Sequence, residues 1–346
     1  MIINNEKIGV FEGKELVEYT MKNDNGIEVS ILNLGGIITK ILVPDKNGKF
    51  ENVVLAYKDY GNYFTNDSYY GAVIGRFAGR IYRGKLNLGN ESYEFKLNNG
   101  LNHLHGADEF NNAIWSVNSF VEENRIGIVL EYTSKDGEEG YPGEVKIKVT
   151  YALNNDNELD FIVNGTTDKT TVLNITNHSY FNLSGDYKRD ILNQKLQIAA
   201  KEFSEIDDGV SGTGMLIQTQ NTPFDFYEEK SIGKDINEDY EQLKLANGYD
   251  HPFVFEDKIG KVSLKDEESG RMLELTTNNP MVVIYTMNYP TEATLYKGIK
   301  PIKHLGICLE TQNSPIGKDQ WCKESSILNP NEEYYKYTKY KFSIIK

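Results

Sequence analysis

The sequence has few cysteines and lacks long basic or apolar runs. Its 346 residues include two cysteines, Cys308 and Cys322, too few for a disulfide framework. No apolar stretch approaches the roughly 20 residues that a membrane-spanning helix requires. The first residues, MIINNEKIGVFEGKE, lack the basic segment followed by an apolar segment that marks a secretory signal. These absences predict a protein of the reducing cytoplasm that does not associate with a membrane.

Positive charge is also scarce. With 37 Lys and Arg against 51 Asp and Glu, the net charge is 37 − 51 = −14. Nucleic acids and anionic membranes attract proteins through clustered Lys and Arg side chains, and no such cluster occurs in this chain. We therefore expect no nucleic-acid partner, and a small neutral molecule or another protein instead.

Residues that favour β-strands are abundant. The chain has 23 Tyr and 15 Phe, and turn residues such as NDNG (23–26) and PDKNG (44–48) separate its strand-like runs. These runs are residues 26–34, 36–43, 87–97, 126–133, 144–153, 158–166, 272–277, 281–288 and 339–345. A weak helical pattern is confined to residues 228–245. The pattern predicts an all-β protein, a large antiparallel β-sandwich with few short helices, and one domain over residues 1–346.

One strand-like segment, LNITNHSYFNLSG (173–185), contains a histidine. Because side chains alternate along a strand, its apolar residues share one face and its polar residues share the other. His178 and Tyr180 both lie on the polar face. Such a face is either solvated surface or the lining of a polar cleft.

Two of the five histidines, His103 and His105, lie in a Gly- and Asn-rich segment, NNGLNHLHGADEF (98–110). Loops held by a rigid sheet often carry binding groups. Two histidines separated by one residue can also share a metal ion, but no further ligand set lies nearby in the sequence. The sequence pattern alone therefore argues against a metal site at these histidines.

Carboxylates and arginines supply the other candidate groups. In KHLGICLETQNSPIG (303–317), Glu310 alternates with apolar neighbours, and a solvent-exposed strand position is the simplest interpretation of it. Arg76, Arg80 and Arg83 stand among glycines in residues 69–89, a pattern also typical of a bulged strand pair. Asp250 precedes His251 at the start of an apolar strand, as in an ordinary Asx turn.

In their order and spacing these segments resemble the aldose 1-epimerase (galactose mutarotase) family over nearly the whole chain. The resemblance is carried by residues 51–81, NHLHGA (102–107), NITNHSYFNLSG (174–185), NTPFDF (221–226), NGYDHPF (247–253) and CLETQNSP (308–315). It implies a β-supersandwich of the galactose mutarotase type, with a sugar-binding cleft on one sheet face and no cofactor. It also implies free hexoses such as galactose and glucose as substrates, whose α and β anomers interconvert by ring opening.

The resemblance assigns roles to individual residues. It implies that Glu310 is the general base for the O1 hydroxyl and that His178 is the general acid for the ring oxygen O5. It implies sugar-binding roles for His105, Arg80 and Asp250, and Tyr180 is a weaker candidate for a cleft wall. We expect Glu310 to be ionised and His178 protonated in the free enzyme, with no metal at the site.

Three residues depart from the family pattern. Ala107 replaces a frequent glycine, Gly79 a frequent asparagine, and Val283 a glutamine that reaches the exocyclic hydroxyl of the sugar. These departures leave the preferred sugar open.

Other functions also remain open at this point. They are a carbohydrate-binding module without catalysis, a metal-dependent β-sandwich enzyme, and a relative acting on hexose 6-phosphates, which would require several converging cations. A homodimer is compatible with the sequence.

Overall fold

The computed structural model describes residues 1–345, and most of its regular structure is β-strand. The first half contains β1 (Ile2–Phe11), β2 (Lys14–Lys22), β3 (Glu28–Leu32), β4 (Ile38–Pro44), β5 (Phe50–Asn52), β6 (Val73–Ile74), β7 (Arg80–Ile81), β8 (Lys85–Leu88), β9 (Glu91–Glu94), β10 (His103–Leu104), β11 (Ser116–Val121), β12 (Arg125–Ser134), β13 (Val145–Asn154) and β14 (Glu158–Thr167). The second half contains β15 (Thr171–Val172), β16 (Thr176–Asn177), β17 (Tyr180–Phe181), β18 (Lys195–Ile198), β19 (Ala200–Ile206), β20 (Gly212–Gln218), β21 (Lys230–Ser231), β22 (Asp250–Phe255), β23 (Gly260–Asp266), β24 (Arg271–Thr277), β25 (Met281–Tyr285), β26 (Ile307–Gln312), β27 (Ile327–Leu328) and β28 (Tyr334–Ile344).

Helices are few and short. The two α-helices are α1 (Glu109–Asn112) and α2 (Glu241–Ala246). Short 3₁₀ turns span Tyr60–Phe64, Tyr82–Gly84, Glu138–Gly140, Ile232–Lys234, Tyr296–Gly298, Lys318–Gln320 and Lys323–Ser326. None of the helices within residues 1–345 has the length and apolar character needed to cross a membrane.

Three antiparallel sheets make up the sandwich. One has nine strands in the order β11-β12-β13-β14-β28-β24-β23-β18-β21, and another has six in the order β17-β26-β25-β22-β19-β20. A five-stranded sheet runs in the order β1-β2-β3-β4-β5. Every strand pair within these sheets is antiparallel. The predicted all-β sandwich is confirmed.

The main apolar core lies between the sheets. Val149 and Phe342 of the nine-stranded sheet belong to the same buried cluster as Ile284 and Leu309 of the six-stranded sheet and Val29 of the five-stranded sheet. Because side chains alternate along each strand, the neighbours of Ile284 and Leu309 point to the other face of the six-stranded sheet. That second face carries the candidate site.

Two local predictions were wrong. Residues 228–245 do not form one helix, because they contain β21, a 3₁₀ turn and the start of the six-residue α2. Residues 173–185 do not form one strand either, because β16 pairs with β6 and β17 with β26. The predicted alternation nevertheless holds: Leu173 and Phe181 lie in the core, while His178 and Tyr180 lie on the other side.

A buried ion pair joins the five-stranded sheet to the nine-stranded sheet. Arg271, at the start of β24, donates to Glu51 Oε2 on β5 at 2.9 Å, and both side chains are fully buried. Burial alone would raise the pKa of Glu51. Hydrogen bonds from Lys188, Lys49 and Arg271 outweigh that effect and lower its pKa to about 2.

We expect Glu51→Gln to lower the free energy of unfolding by about 3 kcal/mol at pH 7, because Arg271 loses its buried counter-charge. The carboxylate stabilises the fold above its unfolded pKa of 4.5. Its contribution disappears as the pH falls toward 2, so the difference between variant and wild type should shrink there. Urea unfolding at several pH values measures both effects. Glu131→Gln, which removes an exposed partner of Lys148, should change stability by less than about 0.5 kcal/mol, and an equal loss in both variants would contradict the prediction.

Candidate active site

A cleft of about 720 Å³ opens on the face of the six-stranded sheet that points away from the core. This volume is within the usual range for small-molecule sites. The cleft floor includes Glu310 from β26, Val283 from β25, Asp250 from β22 and Tyr180 from β17. Loop residues 67–69, 98–101 and 208–210 contribute to the rest of the lining.

Glu310 and His178 meet at the cleft floor. Nε2 of His178 lies 3.5 Å from Oε1 of Glu310, and the two side chains are 5% and 4% exposed. β26 positions the carboxyl, and the pairing of Tyr180 with Cys308 holds the histidine segment beside it. Glu310 is therefore buried, whereas the simplest sequence interpretation placed it on an exposed surface.

Burial also sets the protonation of this pair. It raises the pKa of Glu310 to about 8, with Asp250 adding to the rise and Arg80 opposing it. It lowers the pKa of His178 to about 4. The expectation of an ionised Glu310 beside a protonated His178 was wrong for the free protein, because removal from water disfavours both charged forms. These shifts leave one proton on the pair at neutral pH.

The His178 ring is enclosed by other side chains. The rings of Tyr69, His105 and Tyr180 have centroids 5.7, 5.2 and 5.1 Å from it. Sγ of Cys308 lies 3.5 Å from His178 Nδ1. Burial raises the pKa of this thiol well above its ordinary value, so an S–H group faces the ring nitrogen. These contacts fix the ring with Nε2 toward Glu310.

His105 has a defined tautomer. The backbone N–H of Gly79 donates to His105 Nδ1 at 3.1 Å, and the backbone N–H of His105 donates to the Gly79 carbonyl at 3.0 Å. Burial, then the nearby charges of His178 and Arg80, lower the pKa of His105 well below 6.5. Because Nδ1 accepts a hydrogen bond in a neutral ring, the proton lies on Nε2. His105 thus offers an N–H donor to the cleft.

Arg80 and Asp250 form a partly exposed pair at the cleft wall. Arg80 Nη2 lies 3.4 Å from Asp250 Oδ2, with side-chain exposures of 16% and 17%. Arg80 Nε also donates to Asn99 Oδ1 at 3.1 Å. Burial raises the pKa of Asp250, and Arg80 counteracts that rise. Both groups retain hydrogen-bonding capacity toward the cleft.

The other candidates from the sequence do not reach the cleft. His103 contacts the Lys96 carbonyl and the Tyr141 hydroxyl, at 2.8 and 2.7 Å, so it cannot share a metal with His105. Arg76 is buried and donates to the carbonyls of Pro142 and Gly143.

A different trio could approach a metal ion. His105, His178 and Glu310 each offer one ligand atom within 4.8 Å of the others. Two imidazoles and a carboxylate are ligands that zinc accepts.

Comparison with known proteins agrees with this architecture. A model of the aldose 1-epimerase family matches residues 17–341. The galactose mutarotase of Bos taurus is 36% identical over 338 residues, 96% of each chain. The aldose 1-epimerase of Escherichia coli is 30% identical over 333 residues, 93% of this chain and 94% of the relative.

Solved structures give the same result. A galactose 1-epimerase from Lactobacillus acidophilus matches with a TM-score of 0.91 at 29% identity, covering 100% of this chain and 99% of the other. An aldose epimerase homologue from C. elegans matches with a TM-score of 0.84 at 26% identity, covering 94% and 98%.

The chain belongs to the aldose 1-epimerase family. It is therefore an isomerase that acts on carbohydrates, as the resemblance of its motifs implied.

The departures from the family pattern have structural consequences at this aldose 1-epimerase cleft. Val283 pairs with Glu310 across β25 and β26 and presents an apolar surface to the cleft. Gly79 has a φ of +78°, which favours glycine. Ala107 has a φ of +57° and is fully buried, in a conformation that glycine adopts with less strain.

Among the cleft residues that sequence reasoning missed are Tyr69, Asn99 and Gln312. Tyr69 stands in the first matched segment, but nothing in its spacing indicates contact with both histidines. Gln312 could have been found, because it follows Glu310 by two positions and therefore shares its strand face.

Proposed function

We propose that this chain interconverts the α and β anomers of free hexoses such as galactose and glucose, by acid–base opening of the sugar ring without a cofactor. The observation that carries the proposal is the 3.5 Å contact between Glu310 and His178 in a buried cleft. Titratable groups with strongly shifted pKa values in a cleft are typical of catalytic sites. The galactose mutarotases and aldose 1-epimerases among the relatives support the substrate class.

The reaction needs two proton transfers at one carbon. Glu310 takes the proton of the O1 hydroxyl while His178 gives a proton to O5, and the C1–O5 bond breaks. Because O1 and O5 are both bonded to C1, an acid and a base that lie side by side can serve them together. Rotation of the open-chain aldehyde about C1–C2 and reclosure, with the two roles exchanged, gives the other anomer.

The proposed cycle requires that Glu310 and His178 together hold one proton. In the free enzyme the proton is on Glu310, and the bound sugar favours its transfer to His178. The O1 hydroxyl donates to the carboxylate and O5 accepts from the imidazolium, so the sugar stabilises both charged forms. The total number of protons on the pair does not change when the sugar binds.

The surrounding groups hold the sugar. In this proposal the Nε2–H group of His105 donates to the ring region of the sugar, and Arg80 and Asp250 bind its ring hydroxyls. Tyr180 forms a wall, since its hydroxyl already donates to the Ser68 carbonyl at 3.1 Å.

The charge of the cleft favours a neutral sugar over a sugar phosphate. Among the described lining residues, Arg80 is the one Lys or Arg, against Asp67, Asp208 and Asp250. A phosphate would require several converging cations. A binding module without catalysis would have no need of the buried acid–base pair.

We expect Glu310→Gln to reduce kcat at least tenfold while the protein still folds and binds galactose. The amide fills the same space but cannot accept the O1 proton, and a general base contributes a factor of roughly 10² to 10⁴. Polarimetry of freshly dissolved α-galactose measures the rate, and a thermal melt checks folding. Glu131→Gln, on the nine-stranded sheet, is the matched control. A Glu310→Gln enzyme with more than about a tenth of wild-type turnover would show that Glu310 is not the base.

The pH profile should be bell-shaped, because the pair must hold one proton. We expect kcat/KM to fall above about pH 8, where Glu310 loses that proton, and below about pH 4, where His178 gains a second one. The two limbs belong to the coupled pair, so residual activities of Glu310→Gln and His178→Asn are needed to assign them. A rate that stays constant through pH 8 and 9 would contradict this assignment.

Metal ions should inhibit rather than activate. Every proposed step is a proton transfer, so exhaustive chelation is expected to leave the rate unchanged. Added zinc should compete with the sugar by binding the trio of His105, His178 and Glu310. Loss of activity on chelation, with recovery on adding zinc, would instead establish a metal-dependent enzyme.

A further inference from the structure

The side chain of Gln312 is buried in the cleft wall with both amide atoms unused. Gln312 is fully buried, and neither its Oε1 nor its Nε2 has a hydrogen-bond partner among the residues that the structure describes. A buried amide group without a hydrogen-bond partner destabilises the folded state, because its atoms have lost their bonds to water. A native structure rarely retains two such atoms on one side chain without a reason.

The position of Gln312 places its side chain on the sheet face that carries the cleft. It follows Glu310 by two residues on β26, so both side chains lie on the same sheet face, about 7 Å apart along the strand. Both residues line the cleft. On its far side, Gln312 adjoins Gly79, whose backbone holds His105.

Gly79 provides the space that the amide occupies. A Cβ atom at residue 79 would lie 3.0 Å from Gln312 Nε2 and 2.9 Å from Pro315 Cγ. Since Cβ contacts this short displace their neighbours, a larger residue at position 79 would push the Gln312 amide. The glycine at position 79 and the free amide at position 312 are therefore linked features of this chain.

Gln194 provides a contrast within the same protein. It is also fully buried, but its Nε2 donates to Asn182 Oδ1 at 2.9 Å and its Oε1 accepts from the Leu183 N–H at 3.3 Å. It is absent from the lining of the cleft. Gln194 thus has the hydrogen bonds of a structural glutamine, which Gln312 lacks.

We propose that Gln312 is a specificity-determining residue, whose amide hydrogen-bonds one hydroxyl group of the sugar. The inference rests on the proposed function only for the class of ligand, a free hexose. A site that hydrogen-bonds a hydroxyl strongly disfavours the analogue lacking it, because the buried polar group is then left unpaired. Gln312 would therefore select for the presence of one hydroxyl.

Equilibrium binding tests this role without depending on catalysis. Galactose and its 2-, 3-, 4- and 6-deoxy analogues are titrated by calorimetry into the wild type, Gln312→Met and Gln312→Leu. We expect one of the deoxy sugars to bind the wild type about tenfold more weakly than galactose does. Both variants should bind galactose about tenfold more weakly than the wild type does, and should bind galactose and that deoxy sugar with equal affinity. If the wild type binds sugars with this preference but does not accelerate mutarotation, the proposed function fails and the role of Gln312 stands.

Stability separates this role from a structural one. The Gln312 variants should melt at or above the wild-type temperature, because they remove an amide without protein partners. Gln194→Met should melt lower and keep the wild-type pattern of sugar preference. If both Gln312 variants keep that full pattern, including the penalty for every deoxy sugar, the proposal is overturned.

Discussion

The candidate site depends on the burial of one carboxyl group against one imidazole. Glu310 and His178 lie 3.5 Å apart, each almost inaccessible to solvent. In water both would carry charge over part of the neutral range, but burial disfavours both charges, so the pair holds a single proton. A pair in this state can exchange its proton with a bound hydroxyl and ring oxygen without taking up or releasing one. The rings of Tyr69, His105 and Tyr180 keep His178 buried beside Glu310.

The alternation of side chains in the six-stranded sheet allows Glu310 to be buried without placing it in the apolar core. On β26, Leu309 packs into the core between the sheets, while Glu310 points into the cleft on the other face. The position of the carboxyl is therefore fixed by the same packing that stabilises the fold. Loops bring the remaining groups: the backbone of Gly79 orients His105, and Asn99 orients Arg80. In the proposed function, the sheet would hold the acid–base pair, and the loops would position part of the sugar-binding groups.

Local sequence patterns predicted much of the fold and the strand faces on which the site residues lie, but not the contacts between those residues. Alternating and β-branched runs such as 144–153 and 158–166 match β13 and β14 within about one residue. The helix predicted for residues 228–245 does not form over the whole segment, because Lys230 and Ser231 pair with β18 instead. Alternation placed His178 and Glu310 on polar faces, but whether a polar face meets solvent or a second wall depends on contacts between distant segments. For the same reason no sequence pattern reveals that the amide of Gln312 lacks partners.

The electrostatics of the cleft link Arg80 and Asp250 to Glu310. Asp250 pairs with Arg80 and also raises the pKa of Glu310, whereas Arg80 lowers it. A hydroxyl group that draws Arg80 toward the sugar would weaken its pairing with Asp250 and change the field at Glu310. In the proposed function, sugar binding and the proton affinity of Glu310 would therefore be coupled through this ion pair. The cleft lining carries more acidic than basic groups. A neutral ligand is compatible with this coupling, because its hydroxyl dipoles can change the interaction between Arg80 and Asp250 without neutralising the charge of either residue.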